Sequence, residues 1–182
     1  MEDSTIFVDV PNRVLTLYGP ITSDNCNEAI HNLLVMDRES QDPIQIILNS
    51  EGGDSEQALA VGSIIQGLES KVRVHAVGTC MSAAPWILAA GTGMRTASET
   101  CIFMTHFGEW EIGNKGKNQL SAWEDYEKII TKIWFETMAK WTNQTPKFWE
   151  GMSKDKDYYF TAETALECNL IDRIEENLVY KI

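Results

Sequence analysis

The sequence predicts an α/β fold of stacked β-α units around a largely parallel sheet, with one long helix set apart. Three observations lead there. Strand-like apolar stretches alternate with helix-like ones along most of the 182 residues, and that alternation favours a parallel sheet with helical crossovers. Two of the strands run into glycine turns that open onto helices. No internal repeat, low-complexity tract or Pro/Gly-rich linker divides the chain, so residues 1–182 read as one domain.

Ile6-Phe7-Val8-Asp9-Val10 alternates and predicts a strand at 6–10, able to pair with a second strand at 13–18. A helix over 22–36 and a strand over 44–49 follow. Ala58, Val61, Gly62, Ile65 and Leu68 lie at helical spacing and predict a helix over 54–68, capped by Asp54 or Ser55. Gly52-Gly53 then becomes a strand-to-helix turn. Val72 to Gly78 alternates as a strand, and Trp86-Ile87-Leu88-Ala89-Ala90 reads as a buried helix within 83–90, with Pro85 in its first turn. Strands at 94–97 and 101–106 come next. Beyond them the pattern predicts helices over 119–142, 145–151 and 162–168.

Composition bounds the function. The formal charge of −12 argues against a nucleic-acid or anionic-membrane partner, since both need a basic face. No segment approaches the ~20 apolar residues of a membrane span, and Met1-Glu2-Asp3-Ser4 lacks the basic start of a signal peptide. Cys26, Cys80, Cys101 and Cys168 show no CxxC spacing and read as small buried hydrophobes in a reducing, cytoplasmic setting. Cys80, two residues before Ser82, is the one cysteine placed where another role is open. Neither a metal nor an organic cofactor is implied.

The chemistry concentrates on Ser82, His106 and Asp157. Ser82 sits between the strand ending at Gly78 and the helix after Ala83, at an elbow with small neighbours. That places its hydroxyl near free N–H groups and the positive end of a helix dipole. His106 ends a strand, Asp157 follows the charged Lys154-Asp155-Lys156, and Gly52-Gly53 supplies backbone donors upstream. Plainer readings stand beside this one. Serine is a common N-cap, His106 could be satisfied by a carbonyl, Asp157 could be a turn acid, and a glycine pair could be only a tight turn. The combination of elbow, glycine pair and strand-end histidine favours a nucleophilic triad.

Residues 107–142 need a separate account. Phe107 to Gly113 alternates and leads through Asn114-Lys115-Gly116-Lys117 into a helix of roughly 24 residues, about 36 Å long at 1.5 Å per residue. Leu120, Trp123, Glu127, Ile130, Trp134 and Met138 form one stripe, widened by Tyr126, Ile129, Ile133 and Trp141. So wide an apolar face fits either a core helix or an intermolecular surface.

Several blocks resemble the family of Clp protease proteolytic subunits (ClpP), within the crotonase-like group of folds. They are Ile46-Ile47-Leu48-Asn49-Ser50-Glu51-Gly52-Gly53, Gly78-Thr79-Cys80-Met81-Ser82-Ala83-Ala84, Phe103-Met104-Thr105-His106 and Lys156-Asp157-Tyr158-Tyr159-Phe160-Thr161-Ala162, followed by Ala165-Leu166-Glu167 and Leu170-Ile171-Asp172. The likeness runs from about Asn12 to about Ile174. It implies a serine endopeptidase in which Ser82 is the nucleophile, His106 the general base and Asp157 the orienting carboxylate, with the N–H groups of Gly53 and Ala83 as oxyanion hole. It also implies that 107–142 forms a protruding strand-helix handle between stacked heptameric rings. The expected assembly is a homo-oligomer, a single ring or a tetradecamer, degrading peptides and unfolded proteins, with an AAA+ unfoldase as partner.

The chain departs from the family pattern in places. Glu51 stands where proline is usual, Ala83 replaces methionine and Thr105 replaces isoleucine. Asp155-Lys156-Asp157 stands for a ring–ring D-R-D run, and lysine is the poorer bidentate partner. About a dozen residues precede the strand at 13–18, which predicts a weak axial gate, ATP-independent cleavage of unfolded substrates and an accessory, phage-encoded member. The alternative for 6–10 is an inward plug. Two rival functions remain: a crotonase-like acyl-CoA enzyme sharing the glycine turn, and an inactive scaffold subunit of a mixed ring. The first lacks a cluster of basic residues for the nucleotide, and the second typically loses triad members, all of which are kept here.

Overall fold

A computed structural model describes residues 5–106, 117–153 and 157–175. The chain begins with a hairpin. β1 (Thr5–Asp9) pairs antiparallel with β2 (Val14–Tyr18), in register Thr5↔Tyr18 to Asp9↔Val14. Arg13 takes φ 56° in its turn. There its guanidinium donates to the carbonyls of Met36, Ser40 and Asp42, closing the end of the first helix. Ile6, Val8 and Val10 pack against the core, so the first segment is an edge strand of the sheet.

From β2 onward the main sheet is parallel, in the order β2, β3 (Ile44–Ser50), β4 (Val72–Met81), β5 (Arg95–Ala97) and β8 (Arg173–Ile174). The crossovers are α1 (Ser23–Glu39), α2 (Ser55–Gly67) and α3 (Ala84–Ala89). Thr22 caps α1 with a capping box to Asn25, and Asp54 caps α2 through the N–H groups of Glu56 and Gln57. Cys26, Ala29, Leu33 and Met36 are the buried stripe of α1. Ala58, Val61, Gly62 and Ile65 are that of α2, each recurring every three or four residues as a half-buried helix requires. Ile46, Ile47 and Leu48 are all buried, as expected of a central strand covered on both faces.

β4 makes the site possible. It runs to Met81, three residues past the predicted end at 78, and it serves two partners. Val74 to Ala76 pair with β5, and Thr79 to Met81 pair with β6 (Ile102–Thr105). Gly78 lies between the two pairings at φ 62°. β6 in turn pairs antiparallel with β7 (Tyr158–Phe160), in register Thr105↔Tyr158. Neither β7 nor β8 is expected from the sequence pattern. Strands of three and two residues are too short to express a period of two.

The long helix α4 spans Lys117–Thr142, and α5 (Pro146–Ser153) and α6 (Ala162–Glu167) follow. The C-terminal half of α4 belongs to the core. Met138 and Ala139 are buried, Trp86 Nε1 donates to Thr137 Oγ1 at 2.6 Å, and Trp134 meets Trp149 edge-on. Gly62 packs closely there: a Cβ on it would stand 3.2 Å from the Trp141 ring and from Ala90 Cβ, so those neighbours would have to shift. Ile129 remains exposed. The alternating segment expected at 107–113, the side chain of Leu120, and Asp155 and Lys156 lie outside the described residues.

Candidate active site

Ser82 stands directly after β4, and its N–H donates to the Met104 carbonyl at 2.9 Å, continuing the β4–β6 ladder by one residue. The chain then turns sharply, with Ser82 at φ 56°. A non-glycine residue in the left-handed region costs about 1–3 kcal/mol and concentrates at functional sites. The residue at the N-cap of α3 is Ala83, which makes no side-chain cap bond, so the reading of Ser82 as a helix cap fails. Its hydroxyl points elsewhere, with Oγ 2.7 Å from His106 Nε2.

His106 follows β6 and Asp157 precedes β7. Because Thr105 pairs with Tyr158, the antiparallel register brings the next residue of one strand beside the preceding residue of the other. His106 Nδ1 lies 3.3 Å from Asp157 Oδ1. Thr105 Oγ1 donates to the Met152 carbonyl at 3.0 Å, which fixes the end of β6 against α5. The isoleucine-to-threonine departure therefore has a use, in an added hydrogen bond.

The glycine turn is pressed against the serine. Gly52 and Gly53 have φ 104° and 140°. A Cβ on Gly52 would lie 2.5 Å from Ser82 Cβ, and one on Gly53 would lie 2.4 Å from the Ile21 carbonyl oxygen. No L side chain fits either position. Flanking bonds hold the turn: Gly52 N–H to Ser50 Oγ at 3.0 Å, Ile21 N–H to Gly52 O at 2.7 Å, and Asp54 N–H to Ile21 O at 3.0 Å. The N–H groups of Gly53 and Ala83 meet no acceptor among the described residues. On the neighbouring strand, Asn49 Oδ1 accepts from Thr79 N–H at 3.0 Å and ties β3 to β4 below the elbow. Asn49 and Ser50 are support that residue reasoning did not single out, although both lie in the first family-like block.

The remaining polar residues separate cleanly. His75 is buried on β4 with Nδ1 2.6 Å from Thr96 Oγ1, while His31 is exposed on α1; neither reaches Ser82. Cys80 is not a reactive exception. It is fully buried, and burial, aided by nearby Cys101, pushes its thiol well above the ordinary range. Burial likewise raises Cys26 to about 11 and Cys101 to about 12. Among the described residues, no group of three or more His, Cys, Asp and Glu is arranged to hold a metal ion. No described helix is long and apolar enough to cross a membrane.

The family model of Clp protease matches the chain over residues 5–178. Proteolytic subunit 3 of the ATP-dependent Clp protease of a Synechococcus species is 31% identical over 166 residues, 89% of this chain and 82% of that protein. Proteolytic subunit 2 from Prochlorococcus marinus is 30% identical, with 89% of this chain and 80% of that protein covered. A solved structure of a ClpP1 point mutant from Listeria monocytogenes superposes with a TM-score of 0.81 at 22% identity, covering 94% of this chain and 95% of the other, and shows the same fold. The family model across nearly the whole length and the relatives at this identity agree: the chain belongs to the Clp protease family.

Proposed function

We propose that this chain is a serine endopeptidase working through an acyl-enzyme, with Ser82 as nucleophile, His106 as general base and Asp157 as the carboxylate that orients it. One observation carries the reading. Ser82 Oγ lies 2.7 Å from His106 Nε2 while His106 Nδ1 lies 3.3 Å from Asp157, and the serine sits on a strained elbow beside two unclaimed N–H groups. Nucleophile, base and orienter within contact distance, next to preorganised donors, are the parts that acyl transfer needs.

The steps follow from the geometry. With Nδ1–H directed at Asp157, Nε2 is free to take the Ser82 proton as Oγ attacks the carbonyl carbon of a peptide. The oxyanion that forms is met by the N–H groups of Gly53 and Ala83. His106, now an imidazolium stabilised by Asp157, returns the proton to the leaving amine. Water activated by His106 then releases the acyl group. An oxyanion donor of this kind is worth about 10²–10³ in kcat.

Peptides and unfolded proteins are the substrate class this reading carries, because an extended chain beside the Gly53 turn would be held mainly by backbone hydrogen bonds. Family membership supports further steps: a homo-heptameric ring or double ring enclosing the site, an AAA+ unfoldase as feeding partner, a single peptidase domain, and a cytoplasmic setting. The curated relatives carry the words ATP-dependent in their names.

A fluorophosphonate probe with a small fluorogenic peptide tests the reading. Labelling at Ser82, lost in His106→Ala together with turnover, is the expected result. Turnover of an acyl-CoA thioester without labelling would mean the rival enzyme class, and an inert chain in both assays would mean a scaffold subunit.

A further inference from the structure

The two halves of α4 are anchored differently. Its C-terminal half is held by the core through Thr137, Trp134 and Trp141. In its N-terminal half, the Tyr126 hydroxyl reaches across to α2 and donates to Glu56 Oε1. Glu56 stands in the first turn of α2, with its N–H accepted by Asp54 Oδ1 at 3.0 Å. Asp54 N–H donates to Ile21 O at 3.0 Å, and Ile21 N–H donates to Gly52 O at 2.7 Å. Four hydrogen bonds, joined through the covalent frames of Glu56, Asp54 and Ile21, thus link Tyr126 to the peptide that presents the Gly53 N–H.

That peptide is also held by the Gly52 N–H on Ser50 Oγ at 3.0 Å and by packing against the Ser82 elbow, but both act on the Gly52 side. Gly52 and Gly53 carry no side chains, and both occupy backbone conformations that side chains would forbid. The turn is set by its flanks, the Ile21 bridge on one side and the start of α2 on the other. Burial, then the Glu56 contact and the Asp54 charge, push the Tyr126 hydroxyl up to about 12, so it stays protonated and able to donate over the working range of pH.

We propose that Tyr126 and Glu56 are positioning residues for acyl transfer, their hydrogen bond tying the long helix to the turn that aims the Gly53 N–H at the oxyanion. The inference rests on the peptidase reading of Ser82 and its neighbours. An oxyanion donor acts only when it lies about 2.7–3.1 Å from where the charge develops. Loosening the turn should therefore weaken the transition state while leaving ground-state binding alone, lowering kcat at constant KM.

The test compares wild type with Tyr126→Phe, Glu56→Ala, the double variant and Glu56→Gln. Fluorogenic peptide turnover, affinity for a peptide boronate and assembled mass are measured for each. Tyr126→Phe and Glu56→Ala should each lose about tenfold in kcat and in boronate affinity, less than the loss of a whole donor, with KM and mass unchanged. The double variant should fall no further than either single one. Glu56→Gln, which keeps the acceptor oxygen, should stay near wild type. Wild-type kcat and boronate affinity in Tyr126→Phe would overturn the inference, as would a kcat loss that tracks a change in assembled mass. A wild-type chain that is neither labelled by fluorophosphonate nor active would overturn the peptidase reading itself, and the inference with it; a labelled, active wild type separates the two.

Discussion

Ser82 keeps a left-handed backbone because its surroundings leave it no other: the N–H is held by Met104 O, and Gly52 occupies the space on its other side. Ser82→Ala retains those constraints and removes only Oγ. Peptide hydrolysis should fall on the order of a millionfold in kcat, with an unchanged urea midpoint. Near-normal turnover by this variant would end the assignment. Gly52→Ala is the harsher change, since the new Cβ would stand 2.5 Å from Ser82 Cβ and 2.8 Å from the Met81 carbonyl oxygen. Both are stiff neighbours, so the turn must move. This variant should lose fluorophosphonate labelling as well as stability, whereas Gly67→Ala, with open space around it, should keep its labelling. The serine elbow and glycine pair were legible because each is local: a strand, small residues, a helix. The partnership of His106 with Asp157 was not, because 51 residues separate them and only the β6–β7 register joins them. There the likeness to a family supplied what spacing could not.

At the scale of elements, α4 shows where pattern reading stops. Its wide apolar stripe was plain in the sequence, but a stripe does not say which part of it a chain covers for itself. Trp134, on the stripe that fits either a core or an intermolecular face, already packs edge-on against buried Trp149 in the same chain. Trp134→Asp would place a charge in that aromatic cluster and should cost several kcal/mol of monomer stability, confounding any assembly readout. Ile129, 59% exposed on the same helix, is the cleaner probe. Ile129→Asp should change the monomer by no more than about 0.5 kcal/mol yet reduce the assembled mass seen by light scattering, if α4 lies between copies. Unchanged mass with Ile129→Asp would count against the handle reading of 107–142. The short strands β7 and β8 mark the complementary blind spot. They exist because β6 and β5 offer edges to pair with, which is tertiary context that no local window contains.

For the whole molecule, one buried group ties stability to pH. His75 lies inside the sheet at 2% exposure, its Nδ1 on Thr96 Oγ1 and 3.9 Å from the carboxylate of Glu175 beside β8. Burial pulls its pKa below the ordinary histidine value, and the nearby Glu175 charge only partly restores it. The unfolded chain, with an ordinary histidine near 6.5, therefore binds a proton more readily than the folded one. Stability from this group is fully present above about pH 6.5 and is lost as pH falls from there toward the lower folded value, at up to about 1.4 kcal/mol per pH unit. Asp172 titrates in a separate window. Burial alone would raise its carboxyl, but the Arg95 hydrogen bonds and charge outweigh that and hold it low, so its contribution is lost only below about pH 4. Urea midpoints should therefore drop between pH 7.5 and pH 5.5 in wild type, and His75→Gln should flatten that slope while leaving Ser82 labelling at pH 7.5 in place. A slope that survives unchanged in His75→Gln would assign the acid sensitivity to another group.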